Sequence, residues 1–164
     1  MKLVDKNIKI DEIALDPFNT RDITFKNKNQ EEILKTTMDR KETKELLKSM
    51  NECIRWVNKI VVISYDNHKE MYQSSNLDEK KFKFVAVEGN TRLSCLKSGL
   101  LSTFDKNIEI PVVIAEREAN ETITSFMEGI LVTQGIANVM VVKEWSEIAK
   151  AKHIYDMYQL KLLN

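Results

Sequence analysis

The chain has 164 residues, 43% of them hydrophobic and 30% charged, with 25 Lys plus Arg against 25 Asp plus Glu. That length suffices for one domain with a real core, and a net charge of zero argues against a surface built to grip nucleic acid by itself. Two prolines and four glycines leave little room for a long flexible linker, and no apolar run nears the roughly 20 residues that span a bilayer.

The first residues, MKLVDKNIKID, carry neither an apolar h-region nor a cleavage site, so no signal peptide is expected. Residues 7–14 (NIKIDEIA) alternate and predict a first strand. A turn follows in LDPFNTRD, from Asp16 to Asp22. Residues 29–54 read as helix in two parts, the second carrying Leu46, Leu47, Met50 and Ile54 at helical spacing. The β-branched run NKIVVISY (58–65) predicts a strand. The polar stretch 66–81 reads as a connecting loop, with His68 a solvated residue in it.

FKFVAVE (82–88) predicts the next strand, and a helix over 90–98 follows from Leu93, Leu96 and Leu100, with Gly99 as its stop. IEIPVVIA (108–115) is a further strand, which Pro111 assigns to an edge or a bulge. Ile123, Phe126, Met127, Ile130 and Leu131 mark an amphipathic helix over 119–134. A last helix starts near Lys143 with Ile148, Ala151, Tyr155, Tyr158 and Leu162 as its apolar stripe. The stripe is still running at residue 164, so the natural chain is expected to continue or the helix to dock on a partner. The order of elements predicts an α+β fold, a small mixed β-sheet with flanking helices.

Cys53 and Cys95 form neither a disulfide framework nor a zinc site. Both sit in apolar helical patterns and are expected to be reduced, buried and non-catalytic, in a cytoplasmic protein.

Chemistry concentrates at Glu88-Gly89-Asn90-Thr91-Arg92, where a strand turns into a helix. Glycine permits a sharp turn and close approach of a ligand. Asn90 is a good N-cap. The free amides of a helix start favour an anion, and Arg92 adds a bidentate phosphate donor. Glu88 is placed to accept a proton from a substrate hydroxyl or to touch a metal.

VEGNTRLSCLK resembles the second motif of the ParB/sulfiredoxin superfamily, a glycine-containing strand-to-helix turn that ends in arginine and binds nucleotide phosphates. DPFNTR (Asp16 to Arg21) resembles the superfamily's first motif, and KEWSEIAKAKHIY (143–155) the helix after its third. The resemblance implies a ParB N-terminal-like domain over 1–142, with a C-terminal helix over 143–164 leading into a further helical region. It implies phosphate binding by Gly89, Asn90, Thr91 and Arg92, with Arg21 reaching the same pocket and Mg²⁺ arriving with the nucleotide.

The departures narrow the reading. Asn90 stands where sulfiredoxins carry their cysteine, so the chain is not a sulfiredoxin. Thr91 replaces the second ParB arginine. The third-motif region has Gln134 and Asn138 but no arginine. Three functions fit: a nucleotide-binding (NTP, CTP or ATP) regulatory domain of a DNA-related system; a small phosphotransferase similar to free-serine kinases, with Glu88 as general base; or an interaction domain without ligand. Expected partners are a nucleotide and a second copy or another protein through the C-terminal helix. DNA is expected to be met only through regions outside this chain, and no membrane is expected.

Overall fold

Alternating apolar positions produce a five-stranded sheet, and helices bury both of its faces. The computed structural model describes residues 1–19, 22–73, 77–105, 107–140 and 147–159. The strands are β1 (Lys2–Lys9), β2 (Ile13–Leu15), β3 (Ile60–Ser64), β4 (Phe84–Glu88) and β5 (Glu109–Glu116). The helices are α1 (Gln30–Met38), α2 (Lys41–Glu52), α3 (Tyr65–Tyr72), α4 (Asn90–Lys97), α5 (Ile123–Met140) and α6 (Glu147–Gln159). The architecture is α+β, as expected.

The sheet order is β1-β5-β3-β4-β2. β2 runs parallel to β4, and β3 parallel to β5; the β1–β5 and β3–β4 pairs are antiparallel. Period-2 alternation divides the core. Val62, Ala86, Ile110, Val112 and Ile114 share one cluster with Ile33 of α1, Met50 of α2 and Leu93 and Leu96 of α4. Ile63, Val87 and Ala115 join Phe126 and Ile130 of α5 in another.

The run 7–14 is not one strand. It bends through a 3-10 turn at Ile10–Glu12, and its halves pair with opposite edges of the sheet. Four strand spacings of a flat sheet cover about 19 Å, whereas the four residues from Lys9 to Ile13 reach at most about 14 Å. The sheet must therefore coil until its edges approach. Ile8, Ile10, Ile13 and Leu15 from this bent segment all enter one core cluster. The outer edge of β2 is covered by a side chain: Gln30 accepts from Leu15 N–H at 2.7 Å and donates to Leu15 C=O at 2.8 Å.

The first part of the polar stretch 66–81, expected to be a loop, is instead α3 over 65–72; the described residues after it, 73 and 77–81, carry no helix or strand. Ser64 caps it, accepting from Asn67 N–H at 3.2 Å. Tyr65 and His68 are its buried positions, so His68 is an interior residue. Pro111 does not mark an edge, because β5 lies between β1 and β3; the β3 ladder starts one residue later, at Val112. Leu100 is 61% exposed, and Leu101 is buried in its place. Cys95 is buried but Cys53 is exposed, just past the end of α2, which corrects half of the cysteine expectation.

α6 packs on α5 through His153 and Gly135, where a Cβ would come within 2.9 Å of His153 Nε2. Burial lowers the pKa of His153 below its ordinary value, against the pull of Asp156. The expected stripe of this helix is largely solvent-facing: Ile148, Tyr155 and Tyr158 are exposed. The expected boundary at 142/143, the start of this helix at Lys143, and Leu162 lie outside the described residues. Among the described residues no helix is long and apolar enough to cross a membrane.

Candidate functional site

β2 and β4 are neighbours running in the same direction, so the loop after β2 and the corner after β4 emerge side by side. In open α/β sheets such carboxyl ends are where ligands bind. Asp16 immediately follows β2, and its N–H donates to Asn90 Oδ1 at 2.9 Å. The turn after β2 and the corner after β4, 74 residues apart in sequence, are thus joined directly. α5 reaches the same end: Gln134 donates from Nε2 to Val87 C=O at 2.7 Å.

The corner forms as expected, with one change of role. Gly89 has φ +87°, the left-handed region that favours glycine, and it rather than Asn90 occupies the N-cap position. A Cβ at Gly89 would lie 3.1 Å from Arg92 Nη2 and 3.3 Å from Ile60 Cα, so the guanidinium folds back over bare backbone. Asn90, released from capping, turns inward. Its Oδ1 holds Asp16 N–H, and its Nδ2 donates to Ala86 C=O at 2.7 Å. It is a staple between β4, α4 and the first turn, and its amide group is already committed.

The helix proper begins with Leu93 N–H bonding to Gly89 C=O at 2.9 Å, so the amides of residues 90–92 precede the first helical bond. That leaves the anion-favouring end of α4, with Thr91 and Arg92 half-buried beside it. Glu88 closes β4, opposite Val61, also half-buried. Arg21 lies outside the described residues.

One cavity adjoins this corner and another lies beside the first turn. The first, of about 180 Å³, runs between α2 and α4, with Arg92, Arg55, Cys53 and Trp56 among its walls. The second, of about 500 Å³, lies on the far side of the first turn, bounded by Phe18 and Lys26, Tyr72 of α3, Leu131 of α5 and Lys152 and Asp156 of α6. Phe18 stacks on Tyr72, ring centroids 4.1 Å apart and planes 4° apart. Burial pushes the Tyr72 phenol well above its ordinary pKa, and the Asp16 and Asp156 carboxylates add to this. The floor is aromatic and aliphatic, and the rim carries both charge signs.

Compared with models of protein families, with curated proteins and with solved structures, the chain gives no match.

The site therefore rests on its own geometry. Gly89, Thr91 and Arg92 lie at the start of α4, while Asn90, expected among the phosphate-binding residues, is turned inward onto Asp16 and Ala86. The structure adds Asp16, His68 and Tyr72, which the sequence reading left without a role. His68 and Asp16 are both buried, with Nε2 and Oδ1 2.9 Å apart. A signal existed for α3: Ser64 before it, and Tyr65, His68 and Tyr72 at i, i+3 and i+7 on one face. No local signal pairs His68 with Asp16, 52 residues away.

Among the described residues no group of three His, Cys, Asp or Glu side chains gathers as a metal cage. A Mg²⁺ carried on phosphate oxygens needs only one or two protein carboxylates. At the corner Glu88 is the residue of that type.

Proposed function

We propose that this chain is a ParB-like domain that binds a nucleoside triphosphate, CTP or ATP, at the carboxyl ends of β2 and β4. The triphosphate lies over Gly89 and the start of α4 with Arg92 as its cation. The resemblance adds Arg21, outside the described residues, as a second phosphate cation, and Glu88 is the carboxylate that would meet a Mg²⁺ carried on the phosphates. The base and sugar extend across the first turn toward the cavity floored by Phe18 and Tyr72. The domain works as the regulatory part of a cytoplasmic, DNA-related system whose DNA contacts lie in other regions. The observation that carries this reading is the Asp16–Asn90 hydrogen bond, which joins the two motif segments at the strand ends where ligands bind.

The test is calorimetry of Mg²⁺ complexes of CTP, ATP, GTP and ADP with the wild type and with Arg92→Ala. A charge-assisted hydrogen bond to phosphate contributes about 1.5–3 kcal/mol, so Arg92→Ala is expected to weaken binding at least tenfold. Its melting temperature should stay within a few degrees of wild type. Binding unchanged in the variant would remove Arg92 from the site. Glu88→Gln separates regulation from phosphotransfer: as a general base its loss stops transfer but spares binding, whereas as a Mg²⁺ contact its loss weakens Mg²⁺-dependent binding.

One observation favours the interaction reading as a second, compatible role. Ile148, Ala151, Tyr155 and Tyr158 are exposed on one face of α6, spaced by three, four and three residues as in a heptad seam. A second copy of α6 presents the same spacing and can interlock with it. Sedimentation of the wild type should then show concentration-dependent dimers that Tyr155→Glu abolishes; a monomer at all concentrations rejects self-association.

A further inference from the structure

α3 grips the first turn at two points. Its His68 side chain is completely buried and meets Asp16, also completely buried, at 2.9 Å. Its Tyr72 stacks on Phe18. Asp16 is the hub of that turn. Its N–H holds Asn90, its Oδ1 accepts from Phe18 N–H at 2.8 Å, and its C=O accepts from Asn19 N–H at 3.3 Å.

A carboxylate with no access to water is unfavourable unless donors surround it. The Asp16 group has the Phe18 amide and the His68 ring on Oδ1, while among the described residues neither Oδ2 nor His68 Nδ1 has a hydrogen-bond partner. A buried polar pair that leaves two atoms unsatisfied stabilises weakly compared with an apolar pair of the same size. Its value lies in direction. The imidazole meets Oδ1, the oxygen that also takes the Phe18 amide, and so fixes the carboxylate plane and the path of the backbone through residues 16–19.

We propose that His68 is a positioning residue: through Asp16 it holds the turn 16–19 against the corner 88–92, and so sets the geometry in which a ligand is received. The ligand part rests on the nucleotide reading; the positioning part stands on the hydrogen bonds alone. An ionised Asp16 requires the Nε2–H form of the ring, which donates to Oδ1.

The test compares His68→Leu, which removes the donor, with His68→Gln, whose amide can restore it. In His68→Leu the amides of Asp16 and Phe18 are expected to exchange with solvent at least tenfold faster, while core amides such as Val62 and Val85 keep their protection. The dissociation constant for Mg²⁺–CTP or Mg²⁺–ATP, whichever the wild type binds, should rise at least fivefold. His68→Gln should recover both. Unchanged exchange at Asp16 and Phe18 in His68→Leu overturns the proposal, as does faster exchange of all amides in step with global stability, or a glutamine variant as impaired as the leucine one. If His68→Leu does not fold, the ¹⁵N shifts of wild-type His68 decide: a ring protonated at Nε2 supports the proposal, and one protonated at Nδ1 alone overturns it. A wild type that binds no nucleotide defeats the nucleotide reading while the exchange data still judge the turn.

Discussion

Replacing Asn90 by alanine is expected to destabilise the domain by about 2–5 kcal/mol, far more than any change at the neighbouring Arg92. The Asn90 side chain holds two buried backbone groups, Asp16 N–H and Ala86 C=O. Each buried group deprived of its partner costs about 1–3 kcal/mol. A chain of this size loses about 2–4 °C per kcal/mol, so the melting temperature should fall by about 4–20 °C. Urea unfolding of Asn90→Ala and Arg92→Ala side by side measures the contrast. A smaller loss in Asn90→Ala than in Arg92→Ala would mean that the arginine, not the asparagine, ties the corner together. The same variant should also loosen the turn 16–19, because Asp16 would keep His68 but lose its anchor to α4.

The corner was legible because its signals are local. The alternation of 84–88 ends in a glycine, and Leu93 and Leu96 then resume at helical spacing. The role of Asn90 was not legible for the same reason. Its type suits a cap, but the left-handed backbone of Gly89 places the cap one residue earlier and turns the amide toward a turn 74 positions upstream. α3 escaped notice because Asp66, Asn67, Lys69 and Glu70 surround its few inward residues. Its inward face carries a histidine, which periodicity counts as polar although Asp16 meets its ring. The bend at Ile10–Glu12 was hidden because Ile8, Ile10 and Ile13 stay apolar through it: both halves face one core, so hydrophobicity does not mark the change of direction.

Stability is expected to rise by about 3 kcal/mol as pH climbs from 8 toward 10.5, through a single lysine. Lys97 donates from Nζ to Ile10 C=O at 2.8 Å and lies 5.8 Å from the Phe82 ring centre. Burial pushes its pKa down to about 8 from 10.5, opposed by Asp11 and assisted by Lys81. Between those two values the unfolded chain binds more protons than the folded one, so raising pH favours the folded state. Each unit of difference is worth about 1.4 kcal/mol. Near pH 10 and above, the raised Tyr72 phenol acts in the opposite sense, since the unfolded chain gives up that proton first. From about pH 8 upward the Met1 amino group, whose pKa is raised chiefly by its hydrogen bond to Glu121, also acts in the opposite sense, so the Lys97 contribution is read as a difference between wild type and a Lys97 variant over about pH 7.5 to 9.5. Across that range urea unfolding should show the wild-type stability rising by about 2 kcal/mol relative to that of Lys97→Met. Parallel profiles for the two proteins would show that Lys97 keeps its ordinary pKa.

The bent β1–β2 segment also decides how a partner can be recognised. Extended peptides often join a protein by adding a strand to an open sheet edge. Here one edge strand, β2, has three residues, and Gln30 already occupies both backbone groups of Leu15. The other, β1, is longer but carries Lys2, Asp5, Lys6 and Lys9, charges of the kind that discourage edge-to-edge pairing. Because one bent segment supplies both strands and draws them toward each other, the short β2 edge offers little template, and the eight-residue β1 edge is guarded by its charges. Strand addition is disfavoured at β2 by length and by Gln30, and at β1 it would have to accommodate three lysines and an aspartate, which selects for a partner of complementary charge.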